Sequence, residues 1–233
     1  MSYNKIGLIG AMDEEIRLML NQLSGQEQTV KAGIVFYEGD LDGKRIVLCK
    51  SGVGKVNAAV CTQLLIDTFD VDTVLFTGVA GAVDPSLNIG DIVISTACIQ
   101  HDMDVTALGF ERGVIPYAAT STFEADPGLI RLAEEACSAM TEGRSVKGIV
   151  LSGDQFVASR EKVKELFETM QGACTEMEGA AVAQVCVMNE VPFVIIRSMS
   201  DKADGSAHVN FAEFTVKASE QSHLIVERMI KQL

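Results

Sequence analysis

Three acids carry the chemistry that this sequence offers. Glu176 and Glu178 stand two residues apart where the chain turns helical, and Asp201 closes the stretch RSMSD further along. Such a set suits cleavage of a bond whose transition state is cationic. Glu178 is placed to accept hydrogen bonds from sugar hydroxyls and to stabilise a developing positive charge. Asp201, if burial holds it protonated, can donate a proton to a leaving group. Taken singly, each acid also suits a structural duty: Glu178 in a first helical turn favoured by the macrodipole, Asp201 in a turn after a strand. It is their common position beside apolar segments that predicts one crevice.

Those segments are legible. Gly179 to Val187 is almost wholly small or apolar and reads as a buried helix, which Val191-Pro192 ends. Phe193 to Ile196 is a continuous apolar run, a strand buried on both faces, after which the chain changes to Arg197, Ser198, Met199, Ser200 and Asp201. Charged residues at the carboxyl end of a buried strand are where open α/β sheets place ligands.

The N-terminal part repeats the pattern. KIGLIG is a short strand; Asp13, Glu14 and Glu15 follow it, and Ile16, Met19, Leu20 and Leu23 share one helical face. One of the three acids should point back over the strand end. Asp42-Gly43 is a hairpin turn between Gly33–Asp40 and Arg45–Lys50. Ser51-Gly52-Val53-Gly54-Lys55 lacks the phosphate-loop spacing and reads as a tight turn into a helix ending at Phe69. Thr73–Phe76 is a strand ending in the small residues TGVAGA, and Gly90–Ser95 is another. His101, Asp102 and Asp104 lack the spacing of a metal site. The apolar loop Val105–Tyr117 calls for a cover, from its own domain or from a partner subunit. Asp126 caps a helix opened by Pro127 and running to Met140, and Ser159 caps another. Phe156, just past the strand Gly148–Leu151, either stacks on a planar ring or plugs the core. The last helix spans Phe211 to Ile230, and His208 and His223 read as surface or satisfied histidines. Strands alternating with helices predict an α/β architecture.

Composition narrows the classes. The chain has 233 residues with 48% hydrophobic, 6% aromatic and only 4 prolines, which predicts one domain over residues 1–233. A net charge of −13 and no basic cluster exclude nucleic acid as a partner. No apolar run reaches the roughly 20 residues that span a bilayer. The 6 cysteines form no CxxC pair and sit in apolar segments; with no secretory leader, they predict reduced thiols in a cytoplasmic protein.

GLIGAMDEEI, KSGVGKVNAA, TGVAGA, NIGDIV, HDMDVTALGF, SGDQFV, TEMEGAAVAQV and RSMSD together resemble the 5′-methylthioadenosine/S-adenosylhomocysteine nucleosidases of the purine and uridine phosphorylase superfamily. The match runs in order from residue 5 to the last helix. It implies a three-layer αβα sandwich with a mixed, mostly parallel central sheet. It also implies a homodimer, no cofactor and no metal, and hydrolysis of the N-glycosidic bond of adenosine thioethers, with 5′-deoxyadenosine as a further substrate. By matching motif, Glu15 handles the attacking water and Asp201 protonates adenine at N7. Met177 and Glu178 hold the ribose, with Glu176, Val79 and Gly81 nearby. Phe156 stacks on adenine, the Val157 backbone reads its edge, and Phe211 packs near the 5′ group. Arg197 and Ser200 orient the two catalytic acids. Val105, Leu108 and Pro116, with Val53, belong to a 5′ pocket that crosses between subunits. Many members have serine where this chain has Val79 and an aromatic where it has Leu108, so a hydroxyl near the ribose is missing and the 5′ pocket is reshaped.

Three other readings stay open. A purine nucleoside phosphorylase would need cations for phosphate, where this chain presents Asp13-Glu14-Glu15. A relative acting on 6-amino-6-deoxyfutalosine would share the motifs. A non-catalytic nucleoside-binding protein would have no use for all of Glu15, Glu178 and Asp201.

Overall fold

The computed structural model describes residues 3–138, 143–201 and 207–233, the side chains of 207–213 and 215 excepted. Phe211 and His208 therefore lie outside the described side chains, and the end of the helix expected to reach Met140 lies outside the described residues. The chain begins with β1 (Lys5–Gly10), α1 (Asp13–Gln22), the meander β2 (Ser24–Lys31), β3 (Ile34–Leu41) and β4 (Lys44–Lys50), and α2 (Lys55–Phe69). Next come β5 (Thr73–Ala82), β6 (Ile92–Gln100), a single 3-10 turn at Thr106–Leu108, β7 (Phe123–Glu124), α3 (Pro127–Cys137) and β8 (Ser145–Ser152). The chain ends with α4 (Arg160–Met170), β9 (Gly172–Glu176), α5 (Gly179–Met188), β10 (Phe193–Asp201) and α6 (Ala207–Ile230).

All the strands join one mixed sheet, with helices packed against it, as the alternating pattern predicts. Starting from its edge, the order is β2-β3-β4-β1-β5; β5 then pairs with both β10 and β9, and β10-β6-β8-β9 completes a closed ring. Closure removes the free edges that an open sheet would expose there. It also gathers the carboxyl ends of parallel β1, β5 and β10 at one place. Helices α1, α3 and α6 pack together, and α2 packs on α5.

Local chemistry explains the element ends. Asp126 Oδ1 accepts from the Leu129 N–H at 2.9 Å with Pro127 in the first turn, and Ser159 Oγ accepts from the Lys162 N–H at 3.3 Å. Both caps are where the sequence places them. β2 is absent from the sequence reading because SGQEQTVK is polar and its side chains are mostly exposed: an edge strand paired on one side has no buried face to write a pattern. β5 does not stop at Phe76. It continues through the glycine-rich run to Ala82, because β10 and β9 supply ladder partners along its whole length. His223 is buried and its Nδ1 has no hydrogen-bond partner, which corrects its reading as a surface or satisfied histidine. The six cysteines are all buried and free. No helix among the described residues is long and apolar enough to cross a membrane.

Candidate active site

Glu15 occupies the third position of α1, after Met12 as N-cap. There its carboxylate reaches back over the end of β1: Oε2 accepts from the N–H groups of Ala11 at 2.6 Å and Met12 at 3.0 Å. Oε1 accepts from the Val79 N–H on β5 at 3.0 Å. Helix capping alone would account for the first two bonds. The third ties Glu15 to a neighbouring strand, and the acid is buried. Burial pushes its pKa up, against the pull of Arg197 and the three N–H donors.

Gly78 makes this position possible. A Cβ there would overlap the Glu15 carboxyl, coming within 2.8 Å of Cδ, and would lie 3.1 Å from Arg197 Nη1. Val79 bears on the site through its backbone N–H, a contact that any residue could make, so replacing serine by valine leaves the bond to Glu15 in place.

Glu176 ends β9 and is consumed internally. Oε2 accepts from Arg197 Nη2 at 2.6 Å, both oxygens accept from the Gly179 N–H at 2.9 and 2.8 Å, and Ser152 Oγ donates to Oε1. It is the carboxylate that caps α5. Arg197 lies beneath it, fully buried, with its guanidinium 3.9 Å over the Phe76 ring. Arg197 does not line the pocket; it donates to Glu176 and to the Ile196 carbonyl, because β10 points it at the end of β9.

With Arg197 committed to Glu176, Glu178 is the acid left short of charge compensation. It is buried at the N-cap of α5, and its Oε1 accepts from the Gly54 N–H at 2.7 Å. Burial first, and the charge of Glu176 second, push its pKa up to about 8. Two acids with raised pKa values facing one crevice are the pattern of a working site.

Asp201 ends β10. Between Met199 and Asp201 the pairing with β5 slips by a residue, so that Met199 faces Ala80 and Asp201 faces Gly81. Consecutive residues of a regular strand point to opposite faces. The bulge lets Ser200 and Asp201 both reach the same pocket, and Ser200 Oγ donates to Asp201 Oδ2 at 3.0 Å.

These groups surround one pocket that opens to solvent. Of the residues expected from sequence, Glu15, Val53, Val79, Gly81, Phe156, Val157, Glu176, Met177, Glu178, Ser200 and Asp201 line it. Val105, Leu108 and Pro116 do not line it, and Leu108 is 71% exposed. Ala11, Met12, Ala80, Gln155 and Thr175 also line the wall and were missed. Ala80, Gln155 and Thr175 adjoin predicted residues, and Ala11 and Met12 donate their N–H groups to Glu15; a backbone contact leaves no signal in the sequence. Phe156 is 48% exposed at the mouth rather than packed as a core plug. The lining carries four carboxylates and, among the described residues, no lysine or arginine.

Such a pocket can desolvate a nucleoside-sized molecule, protonate or deprotonate it from two sides and stabilise a cation between them. Comparison with known proteins agrees. The model of the phosphorylase superfamily matches residues 5–231. A 5′-methylthioadenosine/S-adenosylhomocysteine nucleosidase of Psychromonas ingrahamii is 44% identical over 232 residues, covering 98% of this chain and 99% of the relative. The crystal structure of such a nucleosidase from Colwellia psychrerythraea, in complex with adenine, superposes with a TM-score of 0.95 at 38% identity, covering 100% of this chain and 96% of that one. A futalosine hydrolase of Helicobacter pylori superposes with a TM-score of 0.94 at 35% identity, covering 99% of each chain. The chain belongs to the phosphorylase superfamily and, within it, to the 5′-methylthioadenosine/S-adenosylhomocysteine nucleosidases.

Proposed function

We propose that this protein hydrolyses the N-glycosidic bond of 5′-methylthioadenosine and S-adenosylhomocysteine, and of 5′-deoxyadenosine, releasing adenine. The observation that carries the reading is the convergence of Glu15, Glu178 and Asp201 on one pocket with Phe156 at its mouth and, among the described residues, no lining cation. Among the described residues no lysine or arginine lines the pocket to hold phosphate, which favours water as the nucleophile over phosphorolysis. Asp201 protonates adenine at N7, making the base a competent leaving group, with Ser200 orienting its carboxyl. Positioned acids of this kind contribute roughly 10²–10⁴-fold. Glu15 takes the proton of the attacking water, and its three N–H bonds hold it in register. Glu178 accepts the ribose hydroxyls beside Met177. Arg197 acts at one remove, by neutralising Glu176 so that Glu178 can work beside it.

The protein works as a homodimer in which the 105–117 loop of one copy completes the 5′ end of its neighbour's pocket. Support comes from Leu108 at 71% and Tyr117 at 96% exposure, outside their own chain's pocket, with Val53 at the pocket's open side. A second reading, hydrolysis of a futalosine-type nucleoside, is favoured by the similarity to the Helicobacter pylori hydrolase.

The test is adenine release from 5′-methylthioadenosine with and without phosphate, with the sugar product identified. Phosphate-independent release of 5-methylthioribose supports the proposal; a ribose 1-phosphate product refutes it. A higher kcat/KM for 6-amino-6-deoxyfutalosine than for the thioethers would establish the second reading.

A further inference from the structure

Three loops, two of which carry pocket residues, are tied together by one lysine lying outside the pocket. Lys55 opens α2, after the turn that holds Val53 and Gly54. Its backbone N–H donates to Asp154 Oδ1 at 2.8 Å, in the loop after β8. Its Nζ donates to Asp102 Oδ1 at 2.6 Å, in the loop after β6, and to Gln100 Oε1 at 3.0 Å. Asp102 gives its other oxygen to the Asp154 N–H at 2.9 Å, which closes the ring. Gln100 in turn donates to Gln184 Oε1 at 2.5 Å on α5.

Neighbours of the ring are pocket residues. Gln155, Phe156 and Val157 follow Asp154 directly, and Glu178 occupies the N-cap position of the helix that carries Gln184. Gly54 sits between the two systems, with its N–H on Glu178 and a φ of 98° that favours glycine. A Cβ on it would come 3.2 Å from Asp154 Oδ1. The Lys55 and Asp102 side chains are only 18% and 16% exposed, so water screens them less than it does a surface pair. The Lys55 ammonium and the Asp154 N–H outweigh burial and hold the Asp102 carboxyl below the ordinary carboxylate range.

We propose that Lys55 and Asp102 are positioning residues for the reaction: their ion pair, closed through Asp154, holds the Gly54 N–H on Glu178 and the Phe156 loop at the pocket mouth, and so sets ground-state affinity for the nucleoside. This role rests on the nucleosidase reading of the pocket. Nucleoside binding is sensitive to the ring because the groups that would touch ribose and base hang from loops, whereas Glu15 and Asp201 sit at strand and helix ends held by the sheet.

Lys55→Met keeps the apolar stem and removes the donor, and Asp102→Asn removes the charge it meets. The readouts are kcat and KM for adenine release from 5′-methylthioadenosine, Tm, and hydrogen exchange at the Gly54 amide and residues 153–157 in the unliganded protein. In either variant KM rises about tenfold with kcat within about threefold, the low end of what a lost charge-assisted hydrogen bond costs. Gly54 exchange quickens, and the double variant is no worse than Lys55→Met alone. A lowered Tm with KM and Gly54 exchange unchanged would overturn the proposal, since the ring would then only stabilise the fold. If the wild type releases no adenine, the nucleosidase reading fails separately. Exchange then decides the ring: unchanged protection in Lys55→Met refutes it, and faster exchange retains it as the clamp on Glu178.

Discussion

Gly78→Ala puts the placement of Glu15 to a direct test. The new Cβ would overlap the Glu15 carboxyl, 2.8 Å from Cδ, and lie 3.1 Å from Arg197 Nη1. The backbone cannot easily retreat. Gly78 pairs with Arg197 in the β5–β10 ladder, and its carbonyl accepts from Ser222 Oγ at 3.3 Å. Arg197 is held by Glu176 at 2.6 Å, so the carboxylate of Glu15 must give way. Restoring ordinary van der Waals separation moves it by about half an ångström or more, at the expense of its bonds to Ala11, Met12 and Val79. Losing one hydrogen bond to a charged group costs about 1.5–3 kcal/mol, and a 1 Å misplacement near the chemistry costs about 10²-fold. The kcat for adenine release from 5′-methylthioadenosine therefore falls roughly 10–100-fold, with Tm lowered by a few degrees. Gly7→Ala is the control: its Cβ would meet only the side chains of Val71 and Leu65 at 3.2 and 3.3 Å and the Thr73 carbonyl at 3.5 Å, so it touches stability and spares kcat. A Gly78→Ala enzyme with kcat within about threefold of wild type would refute the claim that this carboxylate must stay where the structure holds it.

Other expectations concern the remaining acids and their support. Asp201→Asn lowers kcat about 10²–10⁴-fold while the protein stays folded and binds substrate analogues; more than a few per cent of wild-type rate would remove Asp201 as the acid. Glu178, pushed up to about 8 from the ordinary 4.5 by burial and by the charge of Glu176, binds a proton in the folded state that the unfolded chain has already released. Its contribution to stability is thus full below about pH 4.5 and fades as pH rises through 8. The wild-type Tm should therefore fall relative to that of Glu178→Gln, which mimics the protonated acid, from pH 5 to 8, and a constant difference would contradict this. Arg197→Met strands the buried Glu176 carboxylate and costs about 3–5 kcal/mol of stability; denaturant melts showing less than about 1 kcal/mol would mean that Glu176 finds another partner. Phe156→Ala raises the Kd for adenine about tenfold with little change in Tm, because the ring is half exposed at the mouth; unchanged affinity would remove it from base binding.

Much of this molecule is written in local pattern. Apolar runs such as Phe193–Ile196, the caps at Asp126 and Ser159 and the acids of the first turn of α1 are short-range signals, and each stands where propensity and hydrophobic period put it. The motifs EME and RSMSD supplied Glu176, Met177, Glu178, Ser200 and Asp201 of the pocket wall before any coordinate was needed. What the sequence by itself could not determine depends on contacts between distant residues. Closing the ring through β5–β10 and β5–β9, slipping the register at Ser200 and aiming Arg197 at Glu176 depend on strands far apart in the chain. The division of labour between Glu176 and Glu178 was undecidable from spacing, since either could have capped the helix. Only the tertiary structure, by giving one acid a buried cation and the other a single N–H bond, decides which is neutralised and which is left with a raised pKa. The reason is physical: propensity and periodicity act over a few residues, whereas desolvation and charge pairing depend on what folding brings within a few ångströms.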